Sequence, residues 1–203
     1  MSTLTKSGIE ITTQASSGGS IDFSSISLSV STPATISSGS TSSTTTTVVS
    51  ETTTFRLTFS LPIPMNPNWG VEITFPDEIP ITSFTEVNGY GVFGSKKELI
   101  SSTTVDTGNN KVTILNAISS YTTTDIDAII EFVTINNPVS TKTTDSFQIL
   151  LRTQKAFSIA SATSDIFYTA SAGSITEMSA TPDETTVGIS TSVLFSFKPT
   201  HKI

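Results

Sequence analysis

Phe55-Arg-Leu57-Thr-Phe59-Ser-Leu61 sets four large apolar side chains on alternate positions, with Arg, Thr and Ser between them. A period of two marks a strand with one buried face, because successive side chains of an extended chain point to opposite sides. The pattern returns in Val71-Glu-Ile73-Thr-Phe75, which Pro76-Asp77 closes, and in Val112-Thr-Ile114. It returns again in Ile130-Glu-Phe132-Val-Thr-Ile135 and Phe147-Gln-Ile149-Leu-Leu151. Gly89-Tyr-Gly91, Gly108-Asn-Asn110 and Asn136-Asn-Pro138 punctuate these runs as turns. Many short strands with little helical periodicity between them predict an all-β fold, an antiparallel β-sandwich. Thr124-Asp-Ile-Asp-Ala-Ile129 reads either as a helix start capped by Thr124 or as a strand-edge turn.

Outward from these strands, the chain repeats itself. Ile175-Thr-Glu-Met-Ser-Ala-Thr-Pro182 follows Ile26-Ser-Leu-Ser-Val-Ser-Thr-Pro33 at an offset of 149. Phe195-Ser-Phe197-Lys-Pro199 follows Leu57-Thr-Phe59-Ser-Leu-Pro62 at 138, and Leu151-Arg-Thr-Gln154 follows Ile11-Thr-Thr-Gln14 at 140. A period this long is a domain rather than a solenoid turn. Residues 1–25 then read as tail strands of a preceding unit or as a donor segment. Residues 26–174 form one complete sandwich with a Ser/Thr-rich loop at 34–54, and 175–203 open the next unit. A unit of about 150 residues buries roughly 70% of its unfolded surface, enough for a real core.

Ser and Thr make up about a third of the 203 residues, a composition suited to strands and turns. Charged residues are 13% of the chain and the net charge is −7. Without a Lys/Arg cluster to neutralise phosphate, nucleic acid and anionic membrane surfaces are not expected partners. There is no cysteine, which removes disulfides, thiolate metal sites and thiol nucleophiles. No apolar run reaches membrane-spanning length, and Met1-Ser-Thr-Leu-Thr-Lys-Ser-Gly8 has no apolar core of a secretion signal. The tract at 34–54 reads as a long polar loop hardening into a strand near Thr45. The alternative is an O-glycosylated protrusion, with Thr41, Thr44, Thr45, Thr46 and Thr47 as candidate acceptors. No asparagine is followed by Ser or Thr two positions on, so N-glycosylation has no sequon.

Catalytic chemistry finds little support. His201 is the only histidine, so a Ser-His-Asp triad would depend on a residue at the extreme C-terminus. Gly89-Tyr-Gly91-Val-Phe-Gly94 imitates part of a glycine fingerprint without a strand-to-helix context, and reads as a hairpin turn. Asp106-Thr-Gly-Asn-Asn110 and Asp125-Ile-Asp127 offer oxygens hard enough for calcium. Both fall short in carboxylate count and spacing, and a turn and a helix start explain them. Trp69, in Asn66-Pro-Asn-Trp-Gly70, reads as a turn residue at the core edge rather than a sugar platform. The expectation is a chain that is not an enzyme, with no catalytic, cofactor or metal residues.

Val71-Glu-Ile-Thr-Phe-Pro-Asp-Glu-Ile79, Ile135-Asn-Asn-Pro-Val-Ser-Thr-Lys-Thr-Thr-Asp-Ser-Phe147 and Leu194-Phe-Ser-Phe-Lys-Pro-Thr-His-Lys-Ile203 resemble the tandem Ig-like repeats of large protist surface proteins, ciliates above all. The resemblance covers most of residues 26–203. It implies an Ig-like β-sandwich array on, or shed from, a cell surface, and it brings no catalytic residue.

Ile9-Glu-Ile11 and Ile21-Asp-Phe23 are strand-like segments ahead of the first complete unit. Left alone they would be exposed edges with unpaired backbone. The expected solution is that terminal strands complete neighbouring units, through Ile9, Ile11, Ile21, Phe23, Leu194, Phe195 and Phe197. The partner would be the chain itself, in tandem or as a head-to-tail polymer, with glycans as further partners. The function this predicts is a structural subunit of an extracellular or cell-surface fibril. The alternative is an adhesin that displays loops 85–95 or 136–144 to a glycan or protein. A polysaccharide-active accessory domain would need an exposed aromatic platform that the sequence does not offer.

Overall fold

The computed structural model describes residues 5–14, 20–29, 32–81, 87–91, 94–99, 102–116, 127–163 and 165–200. Its two units are Met1–Ala34 and Thr35–Ile203. The first holds β1 (Thr5–Gln14) and β2 (Ser20–Ser29), an antiparallel hairpin with Ile9 opposite Ile26 and Thr12 opposite Phe23. The expected boundary after residue 25 falls inside β2, whose pairing with β1 runs to Ser29.

The second unit carries the sandwich. Its strands are β3 (Ala34–Thr35), β4 (Gly39–Ser43), β5 (Thr52–Ser60), β6 (Gly70–Thr74), β7 (Val87–Gly91) and β8 (Gly94–Leu99). Next come β9 (Thr103–Asp106), β10 (Lys111–Leu115), β11 (Asp127–Asn136), β12 (Gln148–Arg152) and β13 (Ser158–Ala162). One sheet has the order β3-β13-β12-β6-β10-β9 and the other β4-β5-β11-β7-β8. Pairing from β13 to β9 and from β4 to β8 is antiparallel throughout. Among the described residues there is no helix. The fold is all-β, as the alternation predicts.

Alternation becomes packing in β5, where Thr53, Phe55, Leu57 and Phe59 are buried and the residues between them are not. β11 sets Phe132 opposite Phe55, Ile130 opposite Leu57 and Ala128 opposite Phe59. The facing sheet supplies Val71 and Ile73, Val112 and Ile114, and Ile149 and Leu151, all buried. Aromatic rings tie the layers together. Phe55 stacks on Phe147 at 5.4 Å, and Phe75 meets Phe132 and Phe147 edge-on at 4.9 and 5.2 Å. Such pairs contribute about 0.5–1.5 kcal/mol each beyond their buried area.

Two asparagines lock the corners. Asn110, at φ 51°, donates from Nδ2 to the carbonyls of Phe75, Pro76 and Ile79 and accepts from the Ile81 amide through Oδ1 at 2.7 Å. Asn137 donates to the carbonyls of Thr46 and Val48, while its Oδ1 accepts from Ser43 and Tyr168. The Ser/Thr tract is thereby pinned, and its physical state differs from the expected long loop. It forms β3, the edge strand β4, a corner at Val48–Ser50 and the start of β5.

Beyond the sandwich, β14 (Ile175–Pro182) and β15 (Val193–Pro199) make a separate two-stranded antiparallel sheet. The expected boundary after 174 coincides with the start of β14, although this hairpin is grouped with the sandwich.

Candidate functional site

The register of β14 and β15 decides what their hairpin presents. Ile175 lies opposite Pro199, Ala180 opposite Phe195 and Pro182 opposite Val193, and residues directly opposite share a face. One face of the ribbon therefore carries Ile175, Ala180, Pro182, Val193, Phe195, Phe197 and Pro199. The other carries Thr176, Ser179, Thr181, Leu194, Ser196 and Lys198. Phe197 stands opposite a bulge where Glu177 adopts φ 54° and pairs with Lys198 at 3.2 Å. The hairpin is amphipathic, and its apolar face is bare. Phe195 and Phe197 are 72% and 58% exposed, and every residue of β14 is exposed.

The expected equivalence with β5 locates the anomaly. Leu57 and Phe59 are 0% and 1% exposed, whereas their counterparts Phe195 and Phe197 lie open. The slots are not equivalent within one chain, for a physical reason. β5 has β4 and β11 on its flanks and a second sheet over its apolar face, while among the described residues β15 pairs only with β14.

Backbone registers give a single period where the sequence echoes gave three offsets. Adding 138 to the β1–β2 pairs Ile11/Ser24, Thr12/Phe23, Thr13/Asp22 and Gln14/Ser20 gives Ile149/Ala162, Leu150/Ser161, Leu151/Ala160 and Arg152/Ser158. Those are the observed pairs of β12–β13, and the register slip falls at the same place in both hairpins. At the other end, subtracting 138 from Thr176/Lys198 gives Ser38/Ser60, which are joined by a 3.2 Å bond from the Ser60 amide to the Ser38 carbonyl. Past the Glu177 bulge the β14–β15 register departs from that of β4–β5 by one residue. The hairpin β1–β2 thus matches β12–β13, and the base of β14–β15 matches that of β4–β5. The offsets of 149 and 140 are corrected to 138: Ile11 matches Ile149 rather than Leu151, and Ile175 matches Ser37 rather than Ile26.

Ile9 and Ile11 fall in β1, and Ile21 and Phe23 in β2; their side-chain surroundings lie outside the described part of the structure. Leu194 lies on the polar face of the ribbon, opposite Thr181. Sequence alternation could have assigned Val193 and Pro199 to the face of Phe195 and Phe197. The β14 members of that face are visible only once the register is known.

The candidate glycosylation hydroxyls are all engaged. Thr41 Oγ1 donates to the Phe167 carbonyl and Thr44 Oγ1 to the Thr54 carbonyl. Thr45 bonds Thr53, Thr46 donates to Glu51 Oε2, and Thr47 bonds Ser171. The tract is an edge of the sandwich rather than a protrusion.

The calcium candidates are satisfied by the chain itself. Asp106 accepts from the Asn109 amide at 3.1 Å and from its side chain at 2.7 Å, and these bonds hold its carboxyl below the usual range. Asp127 accepts from Ser60 at 2.6 Å, while Asp125 lies outside the described residues. Among the described residues no three His, Cys, Asp or Glu side chains converge. An open hollow of about 500 Å³ between 77–81 and 107–110 has Asp77 as its one carboxylate, which leaves it without an acid–base pair. Trp69 ends a turn in which its amide donates to the Asn66 carbonyl, directly before β6. Gly89 and Gly91 lie in β7 rather than in a turn, and Gly91 pairs with Gly94 of β8. His201 lies outside the described residues.

No family model matches the chain, and no curated protein matches it. Among solved structures it is similar to BslA, a bacterial hydrophobin, at 13% identity and a TM-score of 0.41, over 66% of this chain and 99% of that one. It is also similar to the B domain of a biofilm associated protein, at 11% identity and a TM-score of 0.37, over 84% of this chain and 52% of that one. No helix among the described residues is long and apolar enough to cross a membrane.

Proposed function

We propose that this chain is a structural subunit of an extracellular or cell-surface fibril. Its β-sandwich repeats join head-to-tail by sharing or donating terminal strands. The observation that carries this reading is the β14–β15 ribbon: a hairpin whose base has the register of the base of β4–β5 and whose apolar face is uncovered. A lone two-stranded hairpin is marginal in water and gains its stability from packing. Burying about five of its apolar side chains yields roughly 8–15 kcal/mol gross, from which association and ordering subtract several kcal/mol. A contact between unlike surfaces leaves one of each free on every added copy, so it propagates into a filament wherever its rotation does not close a ring.

The test is negative-stain microscopy of the whole chain beside a truncation that lacks residues 1–31. The expected result is filaments from the whole chain, and a folded, monomeric truncation. A whole chain that stays monomeric at every concentration, or filaments of normal length from the truncation, would overturn the reading.

One observation favours an adhesin as the second reading. Val139, in the expected display loop 136–144, is 84% exposed beside the anchored Asn137. The other expected loop, 85–95, is largely strand β7 and the start of β8. Binding of a defined glycan or protein by monomers, lost in Val139→Asp, would favour adhesion over assembly.

A further inference from the structure

We infer that the apolar face of β14–β15 docks on the β1–β2 hairpin of a second copy of this chain, as β4–β5 sits on β12–β13 inside the sandwich. This rests on the assembly reading above and names its two surfaces. A single shift of 138 turns β12–β13 into β1–β2 with every shared backbone pair preserved, and turns the base of β4–β5 into that of β14–β15. The two terminal hairpins are therefore the two halves of a contact that the sandwich already makes.

Inside the sandwich that contact has named members. Phe55 stacks on Phe147, Thr41 Oγ1 donates to the Phe167 carbonyl at 2.6 Å, and Ser43 shares a 2.7 Å bond with Tyr168. Shifted by 138, Phe55 becomes Val193 and Thr41 becomes Ser179. Shifted back by 138, Phe147 becomes Ile9 and Phe167 becomes Ser29. An aliphatic pair replaces the stacked rings; past the bulge Ser179 turns to the polar face, and Ala180, opposite Phe195, takes the place that Thr41 holds opposite Leu57. Each hairpin has already paired its own two strands, so the contact buries side chains face to face rather than inserting a single strand. The docking face of β14–β15 carries no charge, because Glu177 and Lys198 pair with each other and Lys198 lies on the opposite face.

The chain has no cysteine, so an engineered pair gives an unambiguous readout. Leu28→Cys, at the shifted place of the buried Ile166, and Ala180→Cys together, oxidised under assembling conditions, should give a ladder of disulfide-linked oligomers on non-reducing gels. A mixture of the two single variants should stop at a covalent dimer that contains one chain of each kind. Phe195→Ser with Phe197→Ser should lower the cross-linked fraction at least tenfold, and near-UV circular dichroism should show the sandwich intact. Three outcomes would overturn the inference: no cross-link while filaments form, a cross-link confined within single chains, or a ladder undiminished by the double Ser variant. In the first case the fibril reading survives with other surfaces. Filaments that fail to form from the unmodified chain remove both.

Discussion

Phe59 and Phe197 are related by the repeat yet sit in opposite environments, which makes them a controlled pair. Phe59 is sealed between sheets, with Ala128 opposite it on β11, so Phe59→Ala removes packing and leaves a void. The expected cost is about 3–5 kcal/mol, read as a lowered denaturation midpoint at unchanged slope. Phe197→Ala changes a side chain that touches little within its own chain. Its monomer should unfold within about 0.5 kcal/mol of the parent, with the loss confined to assembly. Equal destabilisation of dilute monomers by both substitutions would mean that Phe197 is covered within the chain.

Tyr168 adds a dependence on pH. Burial, opposed by the bond to Ser43, raises its hydroxyl above the ordinary value of 10.0. The protonated form is thus the one the fold favours. The stabilisation is fully present below the unfolded value and is lost as pH climbs through the raised folded one. Parent stability should therefore fall on alkaline titration beyond that ordinary value. Tyr168→Phe, which loses the bonds to Ser43 and Asn137, should start lower and fall less over the same range. Parallel curves would show that Tyr168 does not titrate with unfolding.

At the scale of elements, legibility follows where apolar residues had to be. β5, β6, β10, β11 and β12 each bury one face against the other sheet, so selection for burial wrote alternation into them. β4, Gly39-Ser-Thr-Ser-Ser43, is an edge strand whose hydroxyls make side-chain bonds, and β13, Ser158-Ile-Ala-Ser-Ala162, packs small residues. Neither carries a period, and both were invisible. The hydroxyl-rich text also explains the scattered offsets. Where Ser and Thr recur every second or third position, several alignments look alike, and only backbone register chooses among them. The Gly89-Tyr-Gly91 segment was misplaced for a related reason. Glycines signal a turn by composition, yet here they line a strand beside β11, with Gly89 opposite Ile130 and Gly91 opposite Ala128. The exposed face of β14–β15 was half legible: Phe195 and Phe197 announced a core face, and sequence could not say that the core was missing.

For the whole molecule, charge and burial compete, and salt separates them. Each copy carries a formal charge of −7, so bringing copies together at low ionic strength costs Coulomb energy. Raising salt from about 0.01 to 0.15 M shortens the screening length from about 30 to 8 Å. The proposed contact surface on β14–β15 is apolar and gains nothing from unscreened fields. The concentration at which filaments appear should therefore fall as chloride is added, and fall further in sulfate, which strengthens apolar burial. An interface held by ion pairs behaves in the opposite sense, since screening weakens each pair. Light scattering against protein concentration in a salt series reads this directly. Filaments that dissolve at 0.15 M chloride would place the junction on charged side chains and remove the apolar ribbon from it.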